Sequence, residues 1–257
     1  MLLWCDGAHD PEENMRRDRT LLAAAEGGAE PVLRLFAFDP HGITLGARER
    51  PEQALDLERC RRDGVPWAVR PTGGRAIFHA EEWTYSLSAP IDDPDWGGAQ
   101  SEAYARVSRL IVDSLRHLGV PAELVRPGRG TVPASAAACF ASTARHEIEV
   151  NGRKLVGSAQ RRTQLGMLQQ GSVLLGGGHV RLAEYVRAAE REGLADRLAA
   201  SACPAGPWLG EQRPLRDWAD TLQSLTGARR LNGAEGLFLL TLENPRSYTA
   251  ALAQIER

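Results

Sequence analysis

Three strand-like runs follow one another closely in the second half of the chain, and they constrain the fold more than any other stretch. The runs cover residues 145–150, 153–160 and 166–175. Asn151-Gly152 separates the first two runs, and an Asn-Gly pair is a strong short-range indication of a two-residue β-hairpin. The sequence therefore predicts a hairpin here, with Lys154 just beyond its tight turn.

The rest of the pattern mixes strands and helices before it becomes helical. Residues 100–118 place apolar side chains at helical intervals, which predicts an amphipathic helix. The other predicted elements are a helix at 10–28, strands at 31–38 and 43–46, a short charged helix at 52–62, β segments around 72–74, a strand at 83–88 and helices from 181 onward. This order fits an α+β or α/β protein with one dominant sheet.

Length and charge indicate an ordinary globular protein. With 257 residues the chain can bury a large core, so we expect a single domain over residues 1–257 with a helical C-terminal part at about 181–257. Thirty-one basic and 33 acidic residues give a net charge of −2, which lacks the electrostatic footprint of nucleic-acid binding. No apolar run approaches the roughly 20 residues of a membrane span, and no secretion signal is visible. We therefore expect a cytoplasmic protein.

The cysteines are far apart in the sequence and form no CxxC pair. They are Cys5, Cys60, Cys139 and Cys203. This spacing argues against a structural zinc site and against a disulfide framework, so free thiols are expected. Most free cysteines are simply small buried side chains, and one of these four is a candidate for a reactive thiol.

Lys154 is the only lysine among the 31 basic residues. An ammonium differs from a guanidinium because it is a compact point charge that can lose its proton when desolvated. Cys139 ends a stretch rich in glycine, proline and alanine, which predicts a surface loop. A lysine near a thiol lowers the thiol's pKa, and it can stabilise charge that develops during acyl transfer. From spacing alone, a loop cysteine and a surface lysine are an equally good interpretation.

A glycine-containing segment, Arg70-Pro-Thr-Gly-Gly-Arg-Ala76, lies between two β segments and is followed by His79. Glycine lets backbone amides approach a ligand closely, because no Cβ stands in the way. The segment matches neither a P-loop nor a dinucleotide-binding fingerprint. On spacing alone, a tight turn and a structural histidine are the favoured interpretation.

Four segments together resemble the lipoate–biotin protein ligase superfamily in their order and spacing. They are residues 70–79, Cys139-Phe140, residues 152–160 and Gly171-Ser172. The resemblance implies an α+β (mixed α/β) catalytic domain with a central mixed sheet flanked by helices. Cys139 and the Thr-Gly-Gly-Arg-Ala form of the loop look like the octanoyltransferase branch, because lipoate ligases normally lack a cysteine at that position.

The resemblance to that branch implies an acyltransferase with a thioester intermediate. Octanoyl-acyl carrier protein would donate its acyl group to Cys139, which passes it to a lysine of a lipoyl domain, in a 2-oxoacid dehydrogenase or in the glycine cleavage H protein. Lys154 would lower the pKa of the thiol and polarise the acyl carbonyl. The residues implied to form the acyl or lipoyl pocket are Arg70, Gly73, Gly74, Arg75, Ala76, His79, Gly157, Ser158 and Ala159. A thioester is already activated, so neither a metal nor a cofactor is implied.

Three alternatives stay open. An ATP-dependent lipoate–protein ligase would use ATP and Mg²⁺, with Lys154 at an acyl-adenylate and Cys139 incidental. A lipoyl or octanoyl amidotransferase would also use a cysteine. A fatty-acyl or lipoyl binding module would keep the pocket and lack turnover.

Overall fold

The computed structural model describes residues 1–125, 147–210 and 213–241, so Cys139 and the predicted loop before it lie outside the described residues. At its centre is an eight-stranded sheet. Its strands are β1 (Leu2–His9), β2 (Val32–Phe38), β6 (Glu82–Pro90), β7 (Glu123–Leu124), β8 (Ile148–Val150), β9 (Arg153–Arg162), β10 (Gly166–Leu174) and β11 (Arg229–Leu231). They lie side by side in the order β11-β1-β2-β6-β10-β9-β8-β7.

The sheet is mixed because β1 runs parallel to both of its neighbours, β2 and β11. From β2 onward every pairing is antiparallel. Asn151 (φ 52°) and Gly152 (φ 71°) form the turn between β8 and β9, and two successive positive φ angles are what a two-residue hairpin of this kind requires. The predicted fold class and the predicted hairpin are confirmed.

A small second sheet carries the glycine-containing segment. Its central strand is β3 (Gly42–Leu45), which pairs in parallel with β4 (Trp67–Val69) and antiparallel with β5 (Ile77–His79). Residues 70–76 connect β4 to β5, so this sheet presents the segment as a loop at its end. Strands β2 and β3 are close in sequence but belong to different sheets.

Helix α1 (Pro11–Glu26) begins where its capping residues predict. In α1, the Asp10 carboxylate accepts a hydrogen bond from the Glu13 amide at 2.9 Å, and Pro11 occupies the first turn. The helices are α1 (Pro11–Glu26), α2 (Pro51–Ala54), α3 (Leu57–Arg62), α4 (Gln100–His117), α5 (Leu182–Tyr185), α6 (Ala188–Arg191), α7 (Leu194–Ser201), α8 (Gly206–Leu209), α9 (Leu215–Thr226) and α10 (Gly233–Leu239). A 3₁₀ turn covers Gly178–Arg181.

Two helical predictions differ from the structure in detail. The helix predicted at 52–62 is interrupted after Ala54, and Asp56 then caps α3 by accepting from the Arg59 amide at 3.0 Å. The C-terminal part contains β11 as well as helices, because residues 229–231 complete the sheet beside β1. Within the described ranges, no helix combines the length and the apolar character that crossing a bilayer requires.

Alternation along β6 gives the main sheet one apolar face and one polar face. Tyr85 and Leu87 point into the main core, which also contains side chains of α4 and α9. Ser86 points the other way and donates a hydrogen bond to Asp18 of α1 at 2.7 Å. The polar side chains between the sheet and α1 lie on the side of the sheet where the candidate site is found.

Candidate functional site

A narrow pocket lies where the polar face of the main sheet meets the small sheet. It encloses about 380 Å³ between its atoms, part of it open to solvent. Met15, Phe36, Phe38 and Ile77 supply apolar walls. Two neighbouring strands form another wall, with Gly157-Ser158-Ala159 of β9 beside Gln170-Gly171-Ser172 of β10.

The structure brings together five of the nine residues implied for the acyl pocket. Those that line the pocket are Arg70, His79, Gly157, Ser158 and Ala159. Arg75 and Ala76 line a second depression on the other side of the loop. Gly73 and Gly74 are exposed on the loop itself. Contact of any of the nine with an acyl group stays a prediction.

Arg70 holds the glycine-containing loop in shape. Its guanidinium donates to the carbonyl oxygens of Gly73 at 2.8 Å and of Arg75 at 2.7 Å, and Nη1 donates to the Thr44 carbonyl at 3.0 Å. The residue is buried. A fork of fixed donors can satisfy several carbonyls at once, which a lysine could not do in the same plane.

Glycine is required where the loop meets the turn after β3. A Cβ on Gly46 would lie 2.0 Å from the carbonyl oxygen of Gly74, so the two backbones are in contact. Gly74 itself has φ 95°, a conformation that side chains disfavour. The amide of Ala47 also donates to the Thr72 carbonyl at 2.9 Å. The loop is therefore fixed by backbone contacts on one side and by Arg70 on the other.

His79 is part of a buried polar chain beneath the pocket. Its Nδ1 lies 2.6 Å from Oε1 of Glu82, and its Nε2 lies 2.7 Å from the Thr44 hydroxyl. The ring stacks on Phe38 with centroids 3.9 Å apart. Because a carboxylate only accepts, Nδ1 carries the proton that faces Glu82. Both ring nitrogens lie at hydrogen-bonding distance from buried side chains, and the ring forms part of the pocket wall. These contacts are those of a structural histidine.

A second buried chain links α1 to the loop through Gln170. The Gln170 amide donates to Asp18 at 2.5 Å, and its oxygen accepts from the Thr72 hydroxyl at 2.6 Å. Asp18 also accepts from Arg34 at 2.8 Å. Arg34 is fully buried, and a buried charge needs such partners to be tolerated. This network anchors the pocket floor to α1.

Lys154 is buried and ion-paired near the start of β9. Its Nζ lies 2.6 Å from Oε1 of Glu147, and the two residues are only 6% and 4% exposed. Gly157, the first pocket-wall residue of the strand, follows three positions later. The surface-lysine interpretation is therefore excluded. Cys139, the predicted nucleophile, lies outside the described residues.

A second glutamate lies close to this pair. Glu149 stands opposite Lys154 in the β8–β9 ladder. Burial raises the pKa of the Glu149 carboxyl, and the nearby Glu147 charge raises it further while Lys154 opposes the shift. Glu147 contacts the ammonium directly. For Glu149, the effects of burial and of the Glu147 charge outweigh the attraction of Lys154.

Several residues of the site are not predicted from the sequence. Glu147, Glu82 and Gln170 all make buried contacts, yet each looks unremarkable in the sequence. For Glu147, the predicted Asn-Gly hairpin provides an indication of its position. Folding β8 back on β9 brings the residues just before β8 towards Lys154, so an acidic partner could have been sought at Glu147.

The chain matches the model of the lipoyl protein ligase A/B catalytic domain family over residues 10–205. Octanoyltransferase LipM of Moorella thermoacetica is 40% identical over 171 residues, covering 66% of this chain and 63% of that protein. Octanoyltransferase LipM of Kyrpidia tusciae is 40% identical over 167 residues, covering 63% and 61%. The match thus spans less than two thirds of the length of these relatives.

Solved structures share the fold at lower identity. The bipartite lipoate protein ligase of Thermoplasma acidophilum superposes with a TM-score of 0.67 at 18% identity, covering 98% of this chain and 90% of that one. A lipoate-protein ligase A bound with ATP superposes with a TM-score of 0.66 at 17% identity, covering 98% and 92%. The matched family segment contains Lys154 and both strands of the pocket wall. The chain belongs to the lipoyl protein ligase A/B catalytic domain family.

Proposed function

We propose that the chain is an octanoyltransferase of lipoate biosynthesis, which moves an octanoyl group from octanoyl-acyl carrier protein to the lysine of a lipoyl domain. The observation that carries this proposal is the buried ion pair of Lys154 with Glu147, because Lys154 lies on the strand whose next residues line the pocket. The relatives named octanoyltransferase LipM support the same activity.

The pocket has the character that an acyl chain needs. Met15, Phe36 and Ile77 offer apolar contacts to a methylene chain, and Gly157 of β9 and Gly171 of β10 line the same pocket. Burial is worth about 0.8 kcal/mol for each CH₂ group removed from water. The polar groups that also line the pocket, such as Thr44 and Ser172, suit the carbonyl end of the chain.

The reaction would proceed in two thioester steps. The Cys139 thiolate attacks the carbonyl carbon of the donor thioester, the new C–S bond forms, and the carrier's thiolate leaves and takes up a proton. The amine of the acceptor lysine then attacks the Cys139 thioester, and the Cys139 thiolate leaves as the amide forms and the nitrogen loses a proton. Both steps start from an activated acyl group, so no nucleotide is consumed.

Lys154 would supply positive charge to both steps. An ammonium beside the thiolate favours the ionised nucleophile, and the same charge stabilises the oxyanion of each tetrahedral intermediate. Glu147 holds the ammonium in a fixed position at 2.6 Å. Charge held in place before the reaction stabilises the transition state without reorganisation.

Replacing Lys154 tests this role. Lys154→Arg keeps the charge but places a larger planar group in a buried site, so we expect octanoyl transfer to a lipoyl domain to fall by about 100-fold. The readout is mass spectrometry of the lipoyl domain after incubation with octanoyl-acyl carrier protein. Arg161→Lys, an exposed change on the same strand, is the matched control and should transfer at the normal rate.

Two results would contradict the proposal. One is near-normal transfer by Lys154→Arg. The other is formation of an adenylate from lipoate and ATP that Cys139→Ala leaves unaffected, because this would indicate a ligase in which the cysteine has no role.

A further inference from the structure

A second depression lies on the far side of the glycine-containing loop and carries three arginines. Arg48, Arg50 and Arg75 line it, and it encloses about 610 Å³, part of it open to solvent. All three arginines are exposed. Across residues 1–125, 147–210 and 213–241, none of the three side chains makes a salt bridge or a hydrogen bond.

This lack of partners distinguishes the three from many arginines of the same protein. Arg17 and Arg34 pair with carboxylates of neighbouring elements, and Arg16 pairs with Glu13 of its own helix. Three guanidiniums that converge on one depression without carboxylate contacts repel one another, and a bound anion would relieve that repulsion.

Two acidic residues also line the depression, and their charges only partly offset the arginines. Glu49 is one of them, and its carboxylate accepts a hydrogen bond from the Gly46 amide at 2.9 Å. Glu190 is the other. Three guanidiniums against two carboxylates leave an excess of positive charge, with one carboxylate already committed to the turn.

The residues at the end of the glycine-containing loop line both this depression and the pocket. Ala76 lines the depression, and the next residue, Ile77, lines the pocket. Arg70 lies in the pocket and donates to the carbonyl oxygen of Arg75 at 2.7 Å. The pocket and the depression are therefore lined by adjoining residues of one segment of the chain.

We propose that Arg48, Arg50 and Arg75 bind the phosphate of the phosphopantetheine arm that carries the donor acyl thioester. The proposal rests on the proposed function, because it assumes a donor whose acyl group hangs from such an arm. The arm has one anionic group, its phosphate, at a distance from the thioester. Guanidinium groups match phosphate oxygens in planar, bidentate geometry, which makes arginine the suitable residue for this contact.

The test compares two small probes that differ only in the phosphate. Binding of 4′-phosphopantetheine and of pantetheine to the full chain is measured by isothermal titration calorimetry. We expect the phosphorylated probe to bind at least about 10-fold more tightly, as two or three charge-assisted contacts allow. Equal affinities would overturn the proposal without any variant being needed.

Variants then locate the contact. Arg48→Gln combined with Arg50→Gln should abolish the preference for the phosphorylated probe. Arg109→Gln removes an exposed arginine of α4 that lines neither cavity, and it should keep the preference. A preference that survives the double change would overturn the proposal. The proposal would also be overturned if the double variant bound the intact carrier protein more weakly but bound both small probes as the parent chain does. The arginines would then contact the protein surface of the carrier and not the phosphate.

The binding measurement is independent of acyl transfer. A phosphate preference in a protein that forms no thioester on Cys139 would refute the octanoyltransferase and leave the anion site standing. Normal octanoyl transfer without a preference for the phosphorylated probe would refute the anion site and leave the octanoyltransferase standing.

Discussion

At the scale of single residues, the ion pair of Lys154 with Glu147 is the feature that most sets the character of the site. A lysine buried to 6% exposure is tolerated because a carboxylate lies 2.6 Å away in the same buried environment. The pair also fixes the direction of the ammonium. Its neighbour Glu149 is partly exposed and makes no such direct contact in the described chain. Replacing Glu147 and replacing Glu149, each by a neutral residue, should therefore have opposite effects on the stability of the fold.

Glu147→Gln should destabilise the fold by about 3 kcal/mol, because it removes the buried carboxylate that contacts the ammonium. Urea unfolding at pH 7 measures this change. Octanoyl transfer should also fall, since the ammonium loses the group that orients it. A variant as stable as the parent chain would show that the pair contributes nothing to the fold.

Glu149→Gln should have the opposite sign at neutral pH. Burial raises the pKa of the Glu149 carboxyl above its ordinary value of 4.5, so the folded state favours the protonated form. The stability this group contributes is present below that ordinary value and is lost as the pH rises through the raised one. The variant should exceed the parent in stability at pH 7 and approach it near pH 4. If Glu149→Gln were less stable than the parent chain at pH 7, the charged Glu149 carboxylate would stabilise the fold, which would contradict this prediction.

At the scale of elements, the glycine-containing loop depends on a backbone contact rather than on flexibility. The carbonyl of Gly74 occupies the space that a Cβ on Gly46 would need. A Cβ on Gly73, by contrast, would meet nothing within 4 Å, and its φ is unremarkable. Only one of these two glycines is therefore required by packing.

Gly46→Ala should lower stability by about 1–3 kcal/mol, the usual cost of forcing extra volume into a packed site. Gly73→Ala is the matched control and should unfold within about 0.5 kcal/mol of the parent chain. Thermal unfolding of both variants checks the difference. Equal effects of the two substitutions would mean that the loop does not contact the turn as described.

Local signals predicted the elements whose structure is decided locally. Asp10 and Pro11 predicted the start of α1, and Asn151-Gly152 predicted the β8–β9 turn. Strand β1 was missed, because Asp6 and Gly7 interrupt its apolar pattern and its partners are distant in the sequence. Its neighbour β11 was missed for the same reason, since Arg229–Leu231 is strand-like only through pairing with Leu2–Trp4.

The candidate site was only partly predictable for a related reason. The resemblance identified Lys154 and the pocket residues of β9 from motifs that are continuous in sequence. The buried partners come from other elements, such as Glu82 for His79 and Asp18 for Gln170. Such pairings follow from the packing of α1 and the small sheet on the main sheet, which no local pattern encodes.

At the scale of the whole molecule, the fold places two different cavities on either side of one loop. The pocket between the two sheets is partly apolar, whereas the depression beyond the loop is lined by arginines. This arrangement suits a substrate with an acyl chain at one end and an anion further along. The helical segment predicted at the C-terminus also takes part in the architecture, because β11 extends the main sheet beside β1.

In the proposed reaction, an octanoyl group is held on Cys139 between donor and acceptor. Its most direct test is the intact mass of the protein after incubation with octanoyl-acyl carrier protein and without a lipoyl domain. We expect a mass increase of one octanoyl group that hydroxylamine removes and that Cys139→Ala abolishes. No adduct on the parent chain, or an adduct that persists in Cys139→Ala, would contradict the account.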